Sequence, residues 1–421
     1  MRTIGFYSFK GGVGRSNLLL NVAFYLARAK NKHVGILDLD LEAPGLTISP
    51  ALLPAEGVAY PDKGLLDFLD AATKALHPQK KSRDVDVPDI VEIFYETQLA
   101  RDWGGSVHLA PAVSCYPYKD RHPAGYDKRA AAIYKAMREK RKDGSSTPNQ
   151  TLGAAIFRYL VDRVTKARFT VIKRRSEQRP LDFLLVDLRT GLTELADTAA
   201  GSLFQELIIL SGLNVQNVEG LFSALHAFAE NVPPGQMPRL RVLPVFSPIP
   251  NAELGETRQR LDHVQKRLLE AEAGHEKTLN LILSGPSNLL FCDKPGPFTI
   301  HYCDYLAIRD GVLLEEYPET RTAQELASIA AHVADQGVER GREAAQAVIE
   351  KALGRPSPIT EATEAPLPPK PRRLEWLETY LREPPPWTWP MDIFPAQGFD
   401  RDAFVENFLK PFADKTLVTR F

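Results

Sequence analysis

The sequence predicts an α/β fold, a doubly wound and mostly parallel sheet that carries a helical insertion and a small C-terminal extension. Apolar runs without polar alternation recur along the chain, which is typical of parallel strands covered on both faces. Each run is followed by a loop and a helix-like stretch, and this repeated alternation favours a doubly wound parallel sheet. The apolar runs are residues 3–9, 33–39, 182–187, 206–211, 240–246 and 298–302.

The chain opens with a βαβ unit. Residues 3–9 form a short apolar run that ends at glycines, and residues 16–30 are apolar on nearly every side. This pattern predicts a strand, a tight loop and a buried helix. Residues 33–39 then predict the second strand of the unit, because they are apolar without alternation.

The segment from about 61 to 180 departs from this alternation and predicts a helical insertion with one weak strand near 107–113. Its second half is basic, since residues 119–179 hold 17 Lys and Arg against 6 Asp and Glu. Two interpretations of this charge stay open: a solvated helix face, or a surface that contacts nucleic acid or another acidic partner.

The remainder of the chain predicts the end of the main domain and a short extension. Residues 320–353 have the pattern of one or two exposed helices, so we place the main domain at 1–353. Residues 354–371 are rich in Pro, Thr and Glu, which is typical of a linker. The last stretch, 372–421, carries three of the four tryptophans but is short for an independent core. We therefore expect it to dock on the main domain or on a partner protein.

Composition excludes several classes of protein. The chain has 421 residues, is 44% hydrophobic and 25% charged, and carries a net charge of −1. These values predict a packed core and no overall attraction to nucleic acid or anionic membrane. The three cysteines, Cys115, Cys292 and Cys303, are far apart, which argues against a disulfide framework, a zinc site or an iron–sulfur cluster and fits a reducing cytoplasm. No long apolar stretch occurs, so we expect no signal peptide and no membrane span.

A glycine-rich loop, FKGGVGRS, lies between the first predicted strand and helix at residues 9–16. Gly11, Gly12 and Gly14 let successive backbone N–H groups converge, and the helix N-terminus that follows favours anions. Ser16 then offers a hydroxyl oxygen to Mg²⁺. The loop therefore predicts that the chain binds a nucleoside triphosphate with magnesium.

Residues 10–16 of this loop resemble the motif KGGxGK[ST] of the ParA/MinD group of deviant-Walker P-loop ATPases. The resemblance implies an ATPase with ATP and Mg²⁺ as cofactors. It also implies an ATP-dependent homodimer, in which Lys10 reaches across the interface to the nucleotide of the other subunit. The nucleotide-binding residues expected in the loop are Gly11, Gly12, Val13, Gly14, Arg15, Ser16 and Asn17.

Two carboxylate motifs extend the resemblance. Asp38 and Asp40, followed by a proline and a glycine, are similar to the family's D-x-D motif, which implies that Asp38 positions the attacking water and Asp40 orients the switch loop. Asp187 ends an apolar run as a Walker B carboxylate does, and Gly191 keeps the spacing at which a backbone N–H senses the γ-phosphate. The expected magnesium ligands are Ser16, Asp38 and Asp187, and the expected catalytic residues are Lys10, Asp38, Asp40 and Asp187.

Residues 245–248 lie where this family holds the nucleobase, which implies base contacts from Phe246 and Pro248. Arg15 is the main departure from the family motif, because nearly all P-loops have lysine there. Arginine keeps the positive charge, but its longer planar guanidinium holds phosphate oxygens in a different geometry. We therefore expect nucleotide binding to survive and hydrolysis to be slow or dependent on a partner.

The sequence thus favours a slowly hydrolysing, dimerising ATP switch that recruits or regulates a partner component, bound through the insertion or the C-terminal extension. Two alternatives stay open: an ATP-sensing scaffold with negligible turnover, and a DNA-binding segregation ATPase. The combination of KGGVGR with DLDLEAPG also resembles a variant subgroup that accompanies bacterial conflict and regulatory systems. That resemblance implies a role in such a system, for example in anti-phage defence.

Overall fold

The computed structural model describes residues 1–41, 44–76, 85–100, 104–113, 126–137, 151–171, 177–191, 203–231, 240–251, 255–275, 279–281, 290–291, 294–295, 297–307 and 311–335. All of them belong to one compact unit, Met1–Pro356. The predicted linker 354–371 and extension 372–421 lie outside the described residues, as does the predicted helical stretch beyond residue 335. Among the helices described, none is long and apolar enough to cross a membrane.

A nine-stranded sheet forms the centre of this unit. The strands in chain order are β1 (Arg2–Ser8), β2 (His33–Asp38), β3 (Tyr95–Glu96), β4 (Ser106–Ala110), β5 (Phe169–Val171), β6 (Glu177–Arg179), β7 (Phe183–Asp187), β8 (Glu206–Ser211), β9 (Leu240–Ile249), β10 (Leu279–Leu281), β11 (Leu290–Phe291), β12 (Lys294–Pro295) and β13 (Phe298–His301). The sheet order is β10-β9-β8-β1-β7-β2-β4-β3, with β13 also paired to β9, while β5 and β6 form a separate pair, as do β11 and β12. Every pairing in the nine-stranded sheet is parallel except that of β3 with β4, which confirms the predicted mostly parallel sheet.

Helices cover both faces of the sheet. They are α1 (Arg15–Ala29), α2 (Leu65–Leu76), α3 (Tyr126–Met137), α4 (Leu152–Lys166), α5 (Val215–Asn231), α6 (Gly255–Gly274), α7 (Leu313–Glu316) and α8 (Arg321–Ala334). One apolar cluster joins the sheet to α1, α7 and α8, and the other joins it to α2 through α6. Successive strand residues alternate between the two clusters, as Ile36 and Leu37 do. The strands are apolar without alternation because both faces are covered, and the doubly wound α/β prediction is confirmed.

The segment 61–180, predicted as a helical insertion, contributes to two parts of the fold. Helices α2, α3 and α4 pack on one another, and Phe68 stacks on Tyr159 with ring centroids 6.0 Å apart. Strand β4 belongs to the main sheet, where it pairs in parallel with β2. Its Val107 and Leu109 are fully buried in the apolar cluster that joins the sheet to α1, α7 and α8. The segment therefore contributes a group of three packed helices and one strand of the main sheet.

The carboxyl ends of the central strands meet at one edge of the sheet. Strands β1, β7 and β2 are neighbours, and Asp38 at the end of β2 is in register with Asp187 at the end of β7. Ser8 ends β1 between β7 and β8, and the loop that follows leads directly into α1. In open parallel sheets, this edge is where ligands bind.

Candidate nucleotide-binding site

The loop between β1 and α1 depends on glycine for its path. Gly12 and Gly14 have φ angles of +79° and +82°, a region that side-chain-bearing residues rarely adopt. Gly14 is also the residue that precedes the first turn of α1, and its carbonyl accepts the N–H of Leu18 at 2.9 Å. No atom lies within 4 Å of the point where a Cβ on Gly11 or Gly12 would stand. The loop therefore leaves an open space above its backbone at a helix N-terminus, as an anion-binding loop requires.

Arg15 is the first residue of α1, and its side chain turns toward the strand ends. Its Nε donates to Oδ1 of Asp187 at 2.5 Å, and its Nη2 donates to Oδ2 of Asp40 at 3.2 Å. The Arg15 side chain is only 9% exposed. Burial disfavours the charged form, but the negative charges of Asp187 and Asp40 outweigh it and raise the pKa of Arg15. Arg15, which the sequence predicts to bind phosphate, thus pairs with the two carboxylates.

Ser16 completes the set of donors to Asp187. Its Oγ–H donates to Oδ2 of Asp187 at 2.8 Å, so each oxygen of this buried carboxylate accepts one hydrogen bond from the start of α1. The serine oxygen and the Walker B-like carboxylate therefore lie together, as the sequence predicts for a magnesium site. Hard oxygen donors of this kind are those that Mg²⁺ prefers.

Asp38 lies beside this pair and is fully buried. Its Oδ2 accepts the backbone N–H of Thr47 at 2.9 Å and the hydroxyl of Thr47 at 2.8 Å. Burial, together with the charge of Asp187, raises the pKa of Asp38 to about 7, and the two Thr47 donors oppose this rise. The Thr47 hydroxyl in turn accepts the N–H of Ala112 at 3.1 Å, so Asp38 also anchors the segment that follows β2.

Three buried polar atoms in this corner have no hydrogen-bond partner in the part of the chain that the structure describes. They are Oγ of Ser8, Nη1 of Arg15 and Oδ1 of Asp38. Buried polar groups are nearly always satisfied in a native protein, so their grouping indicates a polar ligand. Within the described residues, no three His, Cys, Asp or Glu side chains could hold a metal among themselves. Magnesium would therefore need Ser16 and phosphate oxygens as further ligands, which is how it commonly binds.

Two of the predicted residues have partners within the chain. Nζ of the exposed Lys10 donates to Oε1 of Gln216 in the first turn of α5. Gly191 has a φ angle of +87°, and its N–H donates to the carbonyl of Ser8 at 3.3 Å. Gly191, predicted to sense the γ-phosphate, thus connects the loop after β7 to the end of β1.

A cavity of about 320 Å³ begins at the glycine loop and extends to the ends of β9 and β13. On the loop side it is lined by Gly12, Val13, Gly14 and Asn17, and across it by Ser247 and Pro248. Phe246, predicted with Pro248 to contact the base, is instead fully buried in the apolar core and does not line the cavity. Phe246 belongs to the apolar cluster that joins the sheet to α2 through α6, so its ring packs in the core and not against the cavity.

Sequence reasoning missed the wall that β13 contributes to this cavity. That wall consists of Ile300, His301, Tyr302, Cys303 and Leu306. The apolar run 298–302 correctly predicted a strand, but nothing in the run indicates that the strand pairs with β9. The pairing brings the residues after β13 next to Pro248 and opposite the glycine loop.

Comparison with known proteins gives similarities at the level of structure. No family model and no curated protein matches the chain. Solved ParA and MinD ATPases are similar to it. A plasmid partition protein from Borrelia burgdorferi bound to AMPPNP is 13% identical over 80% of this chain and 98% of its own, with a TM-score of 0.46. A ParA family ATPase from Chlorobium tepidum is 15% identical over 79% and 99%, with a TM-score of 0.40. The cell division ATPase MinD from Pyrococcus furiosus is 15% identical over 80% and 99%, with a TM-score of 0.41.

Proposed function

We propose that this chain is a cytoplasmic, magnesium-dependent ATPase of the ParA/MinD type, which dimerises with ATP and turns over slowly to recruit or regulate a partner. One observation carries the proposal: a glycine loop with two positive φ angles brings Ser16 and Arg15 onto Asp187, and Oγ of Ser8, Nη1 of Arg15 and Oδ1 of Asp38 have no partner among the described residues. These are the groups that a bound triphosphate and its cation would satisfy.

Each residue has a role that its position supports. The open backbone of Gly11 and Gly12 would accept the phosphates, and Ser16 with Asp187 would hold the magnesium ion, with Asp38 close by. Magnesium supplies positive charge that neutralises the phosphates and the developing negative charge of phosphoryl transfer. Asp38 would position water through Oδ1, which has no partner in the described part of the chain, since its other oxygen is held by Thr47.

Dimerisation rests on Lys10. Its ammonium lies at the surface, and its hydrogen-bond partner, the Gln216 side chain, is exposed too, so the contact can be exchanged for another acceptor at little cost. Light scattering without nucleotide, with ADP and with ATP tests the proposal directly. We expect a shift from monomer to dimer with ATP alone, lost in Lys10→Ala. Lys32→Ala is the matched control, because Lys32 is a half-exposed lysine next to the start of β2, at the opposite edge of the sheet. An ATP state no larger than the nucleotide-free one would contradict the proposal.

The contact between Arg15 and Asp187 favours a second candidate function, an ATP-sensing scaffold with negligible turnover. A guanidinium that stays on Asp187 would keep the Walker B-like carboxylate from its catalytic partners. Single-turnover hydrolysis in the wild type and in Asp38→Ala separates the two functions. A measurable rate that falls in the variant supports the ATPase, whereas equal and near-zero rates support the scaffold.

The partner and the process are the finer part of the proposal. We assign a bacterial conflict or regulatory system on the likeness of the KGGVGR and DLDLEAPG motifs described above. Nucleic acid is the partner to test first, because residues 119–179 carry 17 basic against 6 acidic residues. The lysine and arginine clusters at 138–142 and 173–175 lie outside the described residues. DNA binding that weakens with salt and disappears when both clusters are neutralised would support this partner, and its absence at low salt would exclude it.

A further inference from the structure

A histidine lines the cavity beside the phosphate loop and has no role in the function proposed above. His301 ends β13, is 8% exposed and faces the same cavity as Gly14, Asn17 and Pro248. We place the ribose and base of a bound triphosphate in this cavity, because the cavity begins at the loop and is not lined by the carboxylates that hold Arg15. His301 is therefore one of the side chains that a base in this cavity would meet.

Glu325 of α8 fixes the orientation of the His301 ring. Its Oε1 lies 2.7 Å from Nδ1 of the ring, and its Oε2 accepts the backbone N–H of the same residue at 2.7 Å. An ionised carboxylate can only accept, so Nδ1 carries the proton. In the neutral ring, the remaining nitrogen Nε2 is an acceptor, and it is the nitrogen left for a molecule in the cavity.

Two hydrogen bonds that do not involve the His301 ring also join β13 to α8. The backbone N–H of His301 is bound by Glu325, and its carbonyl accepts the hydroxyl of Thr322 at 3.1 Å. These two bonds join the strand to the helix without the imidazole. The buried carboxylate of Glu325 thus orients the imidazole, and the imidazole lines the cavity.

We propose that His301 determines base specificity at this site, with Nε2 accepting a hydrogen bond from the exocyclic amino group of adenine and Glu325 acting as a positioning residue. A base with an oxo group at that position presents a second acceptor to Nε2, and two facing acceptors leave both unsatisfied. The cavity of about 320 Å³ lies within the size range of small-ligand sites. The inference rests on the proposed nucleotide binding and assigns the group that distinguishes one base from another.

Calorimetric titration of the full chain with magnesium and three probes tests it. ATP carries the amino group, inosine triphosphate carries an oxo group in its place, and inorganic tripolyphosphate carries no base. We expect the wild type to bind ATP about tenfold more tightly than inosine triphosphate, the value of one hydrogen bond. His301→Ala should bind the two nucleotides alike, while its affinity for tripolyphosphate stays that of the wild type.

Two further variants separate recognition from structural damage. Glu325→Gln keeps the shape of the side chain but no longer fixes the proton on Nδ1, so the preference for ATP should shrink in it as well. Thr322→Val is the matched control, because it removes a hydrogen bond between the same two elements without touching the ring or the cavity. It should lower the melting temperature and keep the full ATP preference.

The possible failures are distinguishable. If the wild type binds none of the three probes, the proposed function itself fails. If tripolyphosphate and both nucleotides bind but the wild type shows no preference, or His301→Ala keeps it, the base-specificity proposal is wrong. An equal loss of preference in Thr322→Val and His301→Ala would also overturn it, because the effect would then come from the packing of α8 on β13.

Discussion

Arg15 and Asp187 form a buried ion pair at the carboxyl edge of the sheet, with Nε of the arginine 2.5 Å from Oδ1 of the aspartate. The same guanidinium reaches Asp40 at 3.2 Å. One cation therefore neutralises two of the three carboxylates that the central strands bring together. A nucleotide that draws Arg15 to its phosphates would have to break these contacts, and this requirement links nucleotide binding to the charge balance of the site.

Arg15→Lys should accelerate hydrolysis. A lysine ammonium is a single compact charge and cannot engage Asp187 and Asp40 in the fork geometry that arginine uses, so Asp187 becomes available to the phosphoryl-transfer site. We expect the single-turnover rate to rise by up to about 100-fold, the size of effect that a displacement of about 1 Å produces at an active site. Arg129→Lys is the control, because its ion pair with Asp67 lies on α2 and α3. An unchanged rate in Arg15→Lys would show that the ion pair does not limit hydrolysis.

Arg15→Ala should destabilise the domain. Removing one partner of a buried pair leaves Asp187 as an uncompensated charge, which costs about 3–5 kcal/mol in the free energy of unfolding. Urea unfolding of the nucleotide-free protein measures this cost. The matched variant Arg129→Ala breaks a partly exposed pair and should cost no more than about 1 kcal/mol. Equal losses in the two variants would argue against a buried charge network.

Asp38 should make stability depend on pH in the direction opposite to most carboxylates. Its pKa is about 7 in the folded chain, against 3.8 for the unperturbed group, so between these values the folded state binds the proton and the unfolded state does not. The stability that Asp38 contributes is therefore present at low pH and is lost as the pH rises toward and through 7. The full difference is of the order of 4 kcal/mol, at about 1.4 kcal/mol per pKa unit.

Urea unfolding at pH 5 and pH 8 for the wild type and Asp38→Asn isolates this effect. The asparagine cannot ionise and still offers Thr47 an acceptor, so the variant lacks the contribution of this one carboxyl. We expect the stability of the wild type relative to Asp38→Asn to fall between pH 5 and pH 8. A difference between the two proteins that is the same at both pH values would show that Asp38 titrates near its ordinary pKa.

Alanine substitutions at Gly11 and Gly12 should distinguish an effect on stability from an effect on ATP binding. A Cβ at either position meets no atom within 4 Å, but only Gly12 has a φ of +79°. Gly12→Ala should therefore cost about 1–2 kcal/mol of stability, whereas Gly11→Ala should leave stability nearly unchanged. Both methyl groups would occupy the space in which we place the phosphates, so both variants should lose ATP affinity in titration. An ATP affinity in Gly11→Ala equal to that of the wild type would place the phosphates elsewhere.

The sequence by itself determined the features that depend on near neighbours along the chain. The doubly wound sheet follows from apolar runs without alternation, because a strand covered on both faces needs apolar residues at every position. The loop 9–16 follows from glycine spacing at the junction of a strand and a helix, because only glycine turns the backbone through φ values near +80°. Asp38 and Asp187 were also predicted from local sequence, because each lies at the end of an apolar run and matches a carboxylate motif.

Only the tertiary structure decided which distant groups meet. Arg15 pairs with Asp187, 172 residues away, and His301 enters the site because β13 pairs with β9. No local sequence pattern predicts either contact, because the order of strands in the sheet depends on how the helices and the sheet pack together. Buried charges, moreover, take whichever partner the packing brings within hydrogen-bond distance, because a buried charge without one is costly. The sequence thus determined the conformation of the glycine loop, and the packing of the sheet decided that its arginine is held by carboxylates and that a histidine faces the cavity beside it.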